Sequence, residues 1–224
     1  GITLADGNNG NIFIAEGGSV SATGAGSIGI AALDGVASSS IETHNVTVHG
    51  TVSSSDGPAI FFGGSDATSG RIGDVEVSGT ISGGNGVAVD FPAGNFGSTF
   101  RIAPGAVVQG TVDAKDGNDS FNFTGSSGEA GTFDLGLFDT QFLNFDGLIK
   151  EGSSASSWAL SGSSAFAGPL RIIAGDIFLD NVTAGGINAE VNASGTSTAL
   201  FSGSGTIGTL EVDQGTLSPG GGSS

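Results

Sequence analysis

The stretch Asp113-Ala114-Lys115-Asp116-Gly117-Asn118-Asp119-Ser120 gathers hard oxygen donors around a glycine. Asp113, Asp116, Asn118 and Asp119 are candidates for calcium, which takes about six to eight oxygen ligands from carboxylates, carbonyls and water. Residues 117–121 match half of the calcium-binding nonapeptide of parallel β-rolls, as one degenerate copy where that pattern acts in tandem. The spacing does not fit an EF-hand loop. The same residues have a plainer use, because Asp and Asn side chains in tight turns accept hydrogen bonds from nearby backbone amides.

Other residues raise other chemistries. Asp56, Asn85 and Asp116 each precede a glycine at the same point of a repeated outline. Stacked repeats would align them as a strip for carbohydrate or metal, or as a ladder of turn-capping side chains. Arg71 and Arg101 follow the opening glycines of their repeats, Gly50 and Gly79, by 21 and 22 residues, which predicts neighbouring places on one face. Two adjacent guanidiniums would grip a carboxylate or sulfate, and each could instead pair with a local Asp or Glu. His44 and His49 are an odd number of residues apart and fall on opposite faces of any strand that holds both, so they share neither a metal nor a proton relay. Serine is abundant, yet the 64–70 segment Gly-Ser-Asp-Ala-Thr-Ser-Gly lacks a nucleophile motif, and both histidines lie upstream without a matching Asp. Polysaccharide cleavage would need several carboxylates with Lys or Arg on one strip. Here Lys115, Lys150 and three arginines accompany 22 acids, and most of the acids stand singly in turns. The chain therefore reads as a binding or structural module, with a polysaccharide-degrading enzyme as the remaining catalytic alternative.

These residues sit on a repeat. Gly50-Thr51-Val52, Gly79-Thr80-Ile81 and Gly110-Thr111-Val112 open three similar segments, with a looser copy at Gly18. The spacings are 32, 29 and 31 residues. Asp/Asn-Gly follows six residues after the glycine in the three close copies. Then come alternating apolar pairs: Ile60 and Phe62, Val89 and Phe91, Phe121 and Phe123, and in the loose copy Ile28 and Ile30. Each unit holds two or three strands of roughly five residues with Gly/Asn/Asp turns. One such unit cannot bury its apolar edge, whereas stacked units can. The expected fold is all-β, a right-handed parallel β-helix of about eight to ten rungs. The segments 63–74 and 92–100, where spacing is most relaxed, are the expected protruding loops. Phe138, Phe142, Phe145 and Ile149 fall near helical spacing, but adjacent glycines and strand-rich surroundings favour strand and turn.

Composition narrows the partners. The net charge of −17 repels nucleic-acid backbones and anionic membranes. Glycine reaches 43 residues, yet 37% of the chain is hydrophobic, more than a disordered Gly/Ser linker carries. No cysteine is present, which excludes disulfides and thiol chemistry and suits a chain exported unfolded. No run of about 18 apolar residues predicts a spanning helix. The first residues lack the basic start and apolar stretch of a signal peptide.

From residue 133 the texture changes, giving an expected division into irregular repeats over 1–132 and a second region over 133–224. The second region carries Lys150-Glu151-Gly152, then Trp158-Ala159-Leu160-Ser161-Gly162, then Ala174-Gly175-Asp176-Ile177-Phe178-Leu179. Further on come Gly203, Gly205, Ile207, Gly208, Gly215, Leu217, Pro219 and Gly220 in a Gly-x-Gly-x-Ile-Gly, strand, Gly-x-Leu-x-Pro-Gly order. Over about 80 residues this order resembles the C-terminal passenger repeats of bacterial autotransporters, the type V secreted proteins. The pattern departs at Gln214, where the family often has Gly, and at Gly221, where it usually has Asn. The resemblance implies a β-helix exported to the bacterial surface and anchored through an outer-membrane β-barrel further along the parent chain. It implies an adhesin that attaches to host matrix, receptor or glycan, with Trp158 as a packing residue. Self-association between cells and a stalk presenting a distal domain are the other readings.

Overall fold

The computed structural model describes residues 1–5, 10–33, 42–63, 71–91, 97–115 and 117–220. Asp116, the 64–70 segment, residues 92–96, Gly221 and the side chain of Arg71 lie outside the described residues, and with them most of both expected loops. The described residues are all-β with parallel strand pairing, and none lies in an α-helix. No helix there is long and apolar enough to cross a membrane. The chain forms two compact units, Gly1–Arg101 with Gly105–Ser120 and Gln141–Phe145, and Ile102–Pro104 with Phe121–Thr140 and Asp146–Ser224.

In the first unit, period-two alternation of β-branched and polar residues makes strands with one apolar face. The strands pair so that like meets like. Ile2, Ile30, Ile60, Val89, Val112 and Phe142 form one column across six parallel strands. Val20, Val52, Ile81 and Val108 form a second. On another sheet, Ile12, Val46 and Val75 stand beside Ile14, Val48 and Val77. Ile30, Ile60, Val89, Val112, Val52 and Ile81 are fully buried. Burying a Val or Ile side chain is worth about 1.5–3 kcal/mol, so each column is a large stabilising block.

The glycines that open the repeats have a steric reason. A Cβ on Gly50 would lie 2.1 Å from the Gly18 carbonyl oxygen, and one on Gly79 would lie 2.0 Å from that of Gly50. The following amides fix this approach: Thr51 N donates to Gly18 O at 2.9 Å, and Thr80 N to Gly50 O at 2.8 Å. Backbone rests on backbone at this corner, and no side chain fits between.

The third repeat departs from the expected alignment. Val107 N donates to Gly79 O, so Ala106, not Gly110, stands where Gly79 stood. Val108 pairs with Ile81, and the register shifts on either side of Thr111, so that Val112 pairs with Val89. Gly110-Thr111-Val112 thus lies four residues past its apparent place. Gly105, at φ +85°, builds this corner instead, and the glycine-rich protrusion of Thr80–Asp90 has no counterpart on Val107–Asp113. Phe121 and Phe123 belong to Ser120–Phe123, outside the sheet that holds Ile60 and Val89. In the loose copy, Ile30 pairs with Ile60 and Ala32 with Phe62, a shift of two residues.

The second unit repeats the principle with shorter steps. Gly131, Trp158, Ile177, Phe201 and Leu217 form one column, and Leu148, Leu170, Ala189 and Leu210 another. Trp158 is buried, packs on Phe123 at 5.2 Å and donates Nε1 to Thr124 O at 2.7 Å. Gly131 leaves it room, since a Cβ there would meet the indole at 2.7 Å. Phe121, Phe133 and Phe138 pack mutually at 5.0–5.2 Å. The segment with near-helical spacing is a 3-10 turn, Leu135–Asp139, capped by the Asp134 carboxylate, followed by Phe142–Leu143 and Gly147–Lys150 as strands.

Gly79→Ala should destabilise the fold by about 2 kcal/mol or more, because overpacking against backbone has no side chain to yield. Gly86→Ala should cost only about 1–2 kcal/mol, since Gly86 is left-handed with open space around it. Urea midpoints of the two variants measure the difference.

Candidate functional site

The turn residues come first. Ser53 pairs with Ser82 and Ile60 with Val89, so the register keeps one offset on both sides of the turn, and Asp56 and Asn85 hold equivalent places. Their carboxyl and amide oxygens point to backbone. Asp56 Oδ2 accepts from Gly26 N at 2.6 Å, and Asn85 Oδ1 accepts from Val87 N at 3.0 Å. Ser54 Oγ accepts from Gly57 N at 3.1 Å and donates to Ser27 O at 2.6 Å. These side chains satisfy corner amides, the plainer of the two uses expected for them. The Asp56–Asn85 alignment does not extend to the third Gly-Thr-Val step, whose register differs, and Asp116 lies outside the described residues.

Asp113 sits directly opposite Asp90 on the neighbouring strand, a repulsive pairing by itself. Lys115 resolves it. Its Nζ lies 2.8 Å from Asp113 Oδ2 and 3.1 Å from Asp90 Oδ1, and Asn144 Nδ2 donates to Asp113 Oδ1 at 2.7 Å. Lys115 and Asn144 both take left-handed backbone, at φ 65° and 62°. Partial burial pushes the Asp113 carboxyl up, but hydrogen bonds from Lys115 and Asn144 and the ammonium charge outweigh it, and the pKa lies below the usual carboxylate value. The bond to Asp113 raises Lys115 in turn. Asp119 points elsewhere: it is buried, and its Oδ1 accepts from Ser98 N, while Asn118 is exposed. Asp113 and Asp119 therefore do not converge on one ion. Among the described residues no group of three His, Cys, Asp or Glu side chains is placed to hold a metal.

Arg101 pairs with Asp74, three positions along the strand from Arg71, so its guanidinium meets a local carboxylate. His44 is buried between Gly10 and Gly73 on the flanking strands, and His49 is exposed against Phe13. His49 lies just past the strand Glu42–Val48 that holds His44, so strand alternation does not relate the two.

What the strands do assemble is a set of outward polar columns. Ser19, Thr51 and Thr80 stand in line, as do Ser21, Ser53 and Ser82. Asn11, Asn45 and Asp74 form a third line, with Asn45 Nδ2 donating to Asn11 Oδ1 at 2.7 Å. Parallel strands about 4.8 Å apart place these groups at regular intervals.

Lys150 holds a place that its charge alone would not predict. It continues a column through the buried Ile172 and Val191 to the exposed Val212, and it is itself fully buried. Its Nζ donates to Glu151 O at 2.7 Å, Ser156 Oγ at 2.8 Å and Ala174 O at 3.1 Å. Three acceptors meet the three N–H groups of an ammonium. Burial lowers its pKa to about 8, against the opposing charges of Asp176 and Glu151. The signal was its step in the strand alternation, which points inward.

Compared with models of protein families, with curated proteins and with solved structures, the chain has no match.

Two outcomes follow from the ionisable groups. Asp113 has a depressed folded pKa, so its contribution is present above the unfolded value of about 4 and lost as pH falls through the folded one. Asp113→Asn should therefore lower the urea midpoint at pH 7, and by progressively less as the pH falls below about 4. Lys150 binds its proton less tightly folded than unfolded, so stability relative to Lys150→Met should rise between pH 8 and about 10.5. At pH 7 Lys150→Met should still cost about 2–4 kcal/mol, because it strands buried acceptors.

Proposed function

We propose that this chain is part of the surface-exposed passenger of a bacterial autotransporter, built as a right-handed parallel β-helix and attaching cells to host matrix, receptor or glycan. The observation that carries this reading is the set of outward Ser, Thr, Asn and Asp columns held in register on parallel strands. Such a face makes many weak polar contacts with an extended partner, and its regularity comes from the stacking rather than from a loop. The order of glycine, Trp158, Leu160 and Pro219 motifs in the second region supports the family assignment. Parallel pairing of strands about 20 to 30 residues apart supports a solenoid, which can form from local contacts after export as an unfolded chain.

The purified chain, tested on immobilised matrix proteins, epithelial cells and a glycan array, should bind at least one class. Replacing Thr51 and Ser82, which are not directly opposed, by Glu should weaken that binding about tenfold or more through repulsion and lost hydrogen bonds, with the fold retained by circular dichroism. Absence of binding by this chain while a longer passenger adheres would assign it the role of stalk.

A further inference from the structure

Phe13 is the most exposed large apolar side chain among the described residues, at 61%. A lone exposed apolar residue needs no explanation. What marks Phe13 is its company. Ile12 and Ile14 are buried on either side of it, so Asn11 and Phe13 point outward together. The next strand sets Asn45 beside Asn11 and Thr47 beside Phe13, and the one after it adds Asp74 and Glu76. The His49 ring meets that of Phe13 edge to face, with centroids 5.0 Å apart and planes at 74°. That contact orients the Phe13 ring without burying it.

The polar groups around the ring keep bonding capacity. Asn45 Nδ2 donates to Asn11 Oδ1 at 2.7 Å. This bond leaves Asn11 Nδ2 as a donor and Asn45 Oδ1 as an acceptor, with no side-chain partner for either among the described residues. Thr47 adds a hydroxyl between them and Glu76. One aromatic ring, an amide donor, an amide acceptor and a hydroxyl thus share a patch two residues long and one strand spacing wide, about 6.6 Å by 4.8 Å. Buried neighbours hold each strand, so the patch is preorganised.

A pyranose ring has the complementary make-up. Its C–H bonds carry weak positive charge and suit the negative face of an aromatic ring. Its rim hydroxyls both donate and accept, as the two amides require. Charge selects among sugars. The Arg101 guanidinium is engaged by Asp74, and Glu76 together with the net charge of −17 repels a carboxylate or sulfate.

We propose that Asn11, Phe13, Asn45 and Thr47 form a subsite for one uncharged pyranose ring of a glycan. Phe13 stacks on the C–H face of the sugar, and the two amides bond its rim hydroxyls. The proposal names the ligand class of the outward polar face and rests on the reading that this face binds.

The test is saturation-transfer NMR and titration of the folded chain with neutral oligosaccharides ending in galactose, glucose, mannose or an N-acetylhexosamine, beside their sialylated and sulfated counterparts. At least one neutral sugar should bind, with saturation reaching its ring protons, and its charged counterparts should bind about tenfold more weakly. Phe13→Ala and Phe13→Leu should each weaken binding about tenfold, and Phe13→Trp should retain it, because stacking and not bulk is at work. Asn11→Ala should weaken it about fivefold. Circular dichroism checks each fold. No binding of any neutral sugar, tighter binding of the charged ones, or binding indifferent to Phe13 overturns the proposal. Attachment to matrix proteins or cells without sugar binding leaves the adhesin reading standing and removes this one. Sugar binding that depends on Phe13, in a chain that attaches to no cell, upholds the subsite and removes the adhesin.

Discussion

Backbone resting on backbone at the Gly18, Gly50 and Gly79 corner is the constraint on which the first unit depends. The carbonyl of one corner accepts from the amide just after the next, and the gap between them excludes even a methyl group. With that contact fixed, the residue two places on must fall under its predecessor, and Val20, Val52 and Ile81 line up. The apolar column and the outward hydroxyl columns are consequences of the same step, because alternate residues of a strand take opposite faces. Structure and surface chemistry are therefore set by one register.

The polar groups divide between two jobs. Those at corners face backbone amides, as Ser54, Asp56 and Asn85 do, and they leave little ligating capacity. Those on flat strand faces point outward with neighbours of their own kind. Lys150 belongs to neither group. A single ammonium in an apolar column is tolerated because Glu151, Ser156 and Ala174 supply one acceptor for each proton. Its burial ties the loop after Gly147–Lys150 to the Ala174 corner, a polar joint inside an otherwise apolar stack.

Much of this was legible in the sequence where composition and register agree. The Gly50 and Gly79 repeats and the inward Val52, Ile60 and Phe62 follow from spacing and alternation, while the packing role of Trp158 came from the motif order of the second region. The third repeat misled because glycine, threonine and valine recur at Gly110 for another reason. There the chain drops the long protrusion after Ser82 and makes its corner with a left-handed Gly105, so a similar triplet lands one bulge later. The same slip removes the basis for extending the Asp56–Asn85 strip to a third repeat. For Asp113 the sequence offered calcium, and the nearer partner was Lys115 two residues on, reachable only because that residue adopts left-handed backbone. Such a conformation leaves no mark in a lysine codon. The buried Lys150 was hidden likewise, since its acceptors are mostly carbonyls, which every sequence contains.

The register is the claim from which columns, corners and the polar face all derive, and the chain's lack of cysteine makes it directly measurable. Paired cysteines at Ser82 and Gln109 should form a disulfide readily under mild oxidation, because those residues are directly opposed on neighbouring strands. Cysteines at Ser82 and Asp113, the pair that a simple alignment of the Gly-Thr-Val repeats would oppose, should remain reduced. Rapid oxidation of the second pair with none of the first would contradict the account.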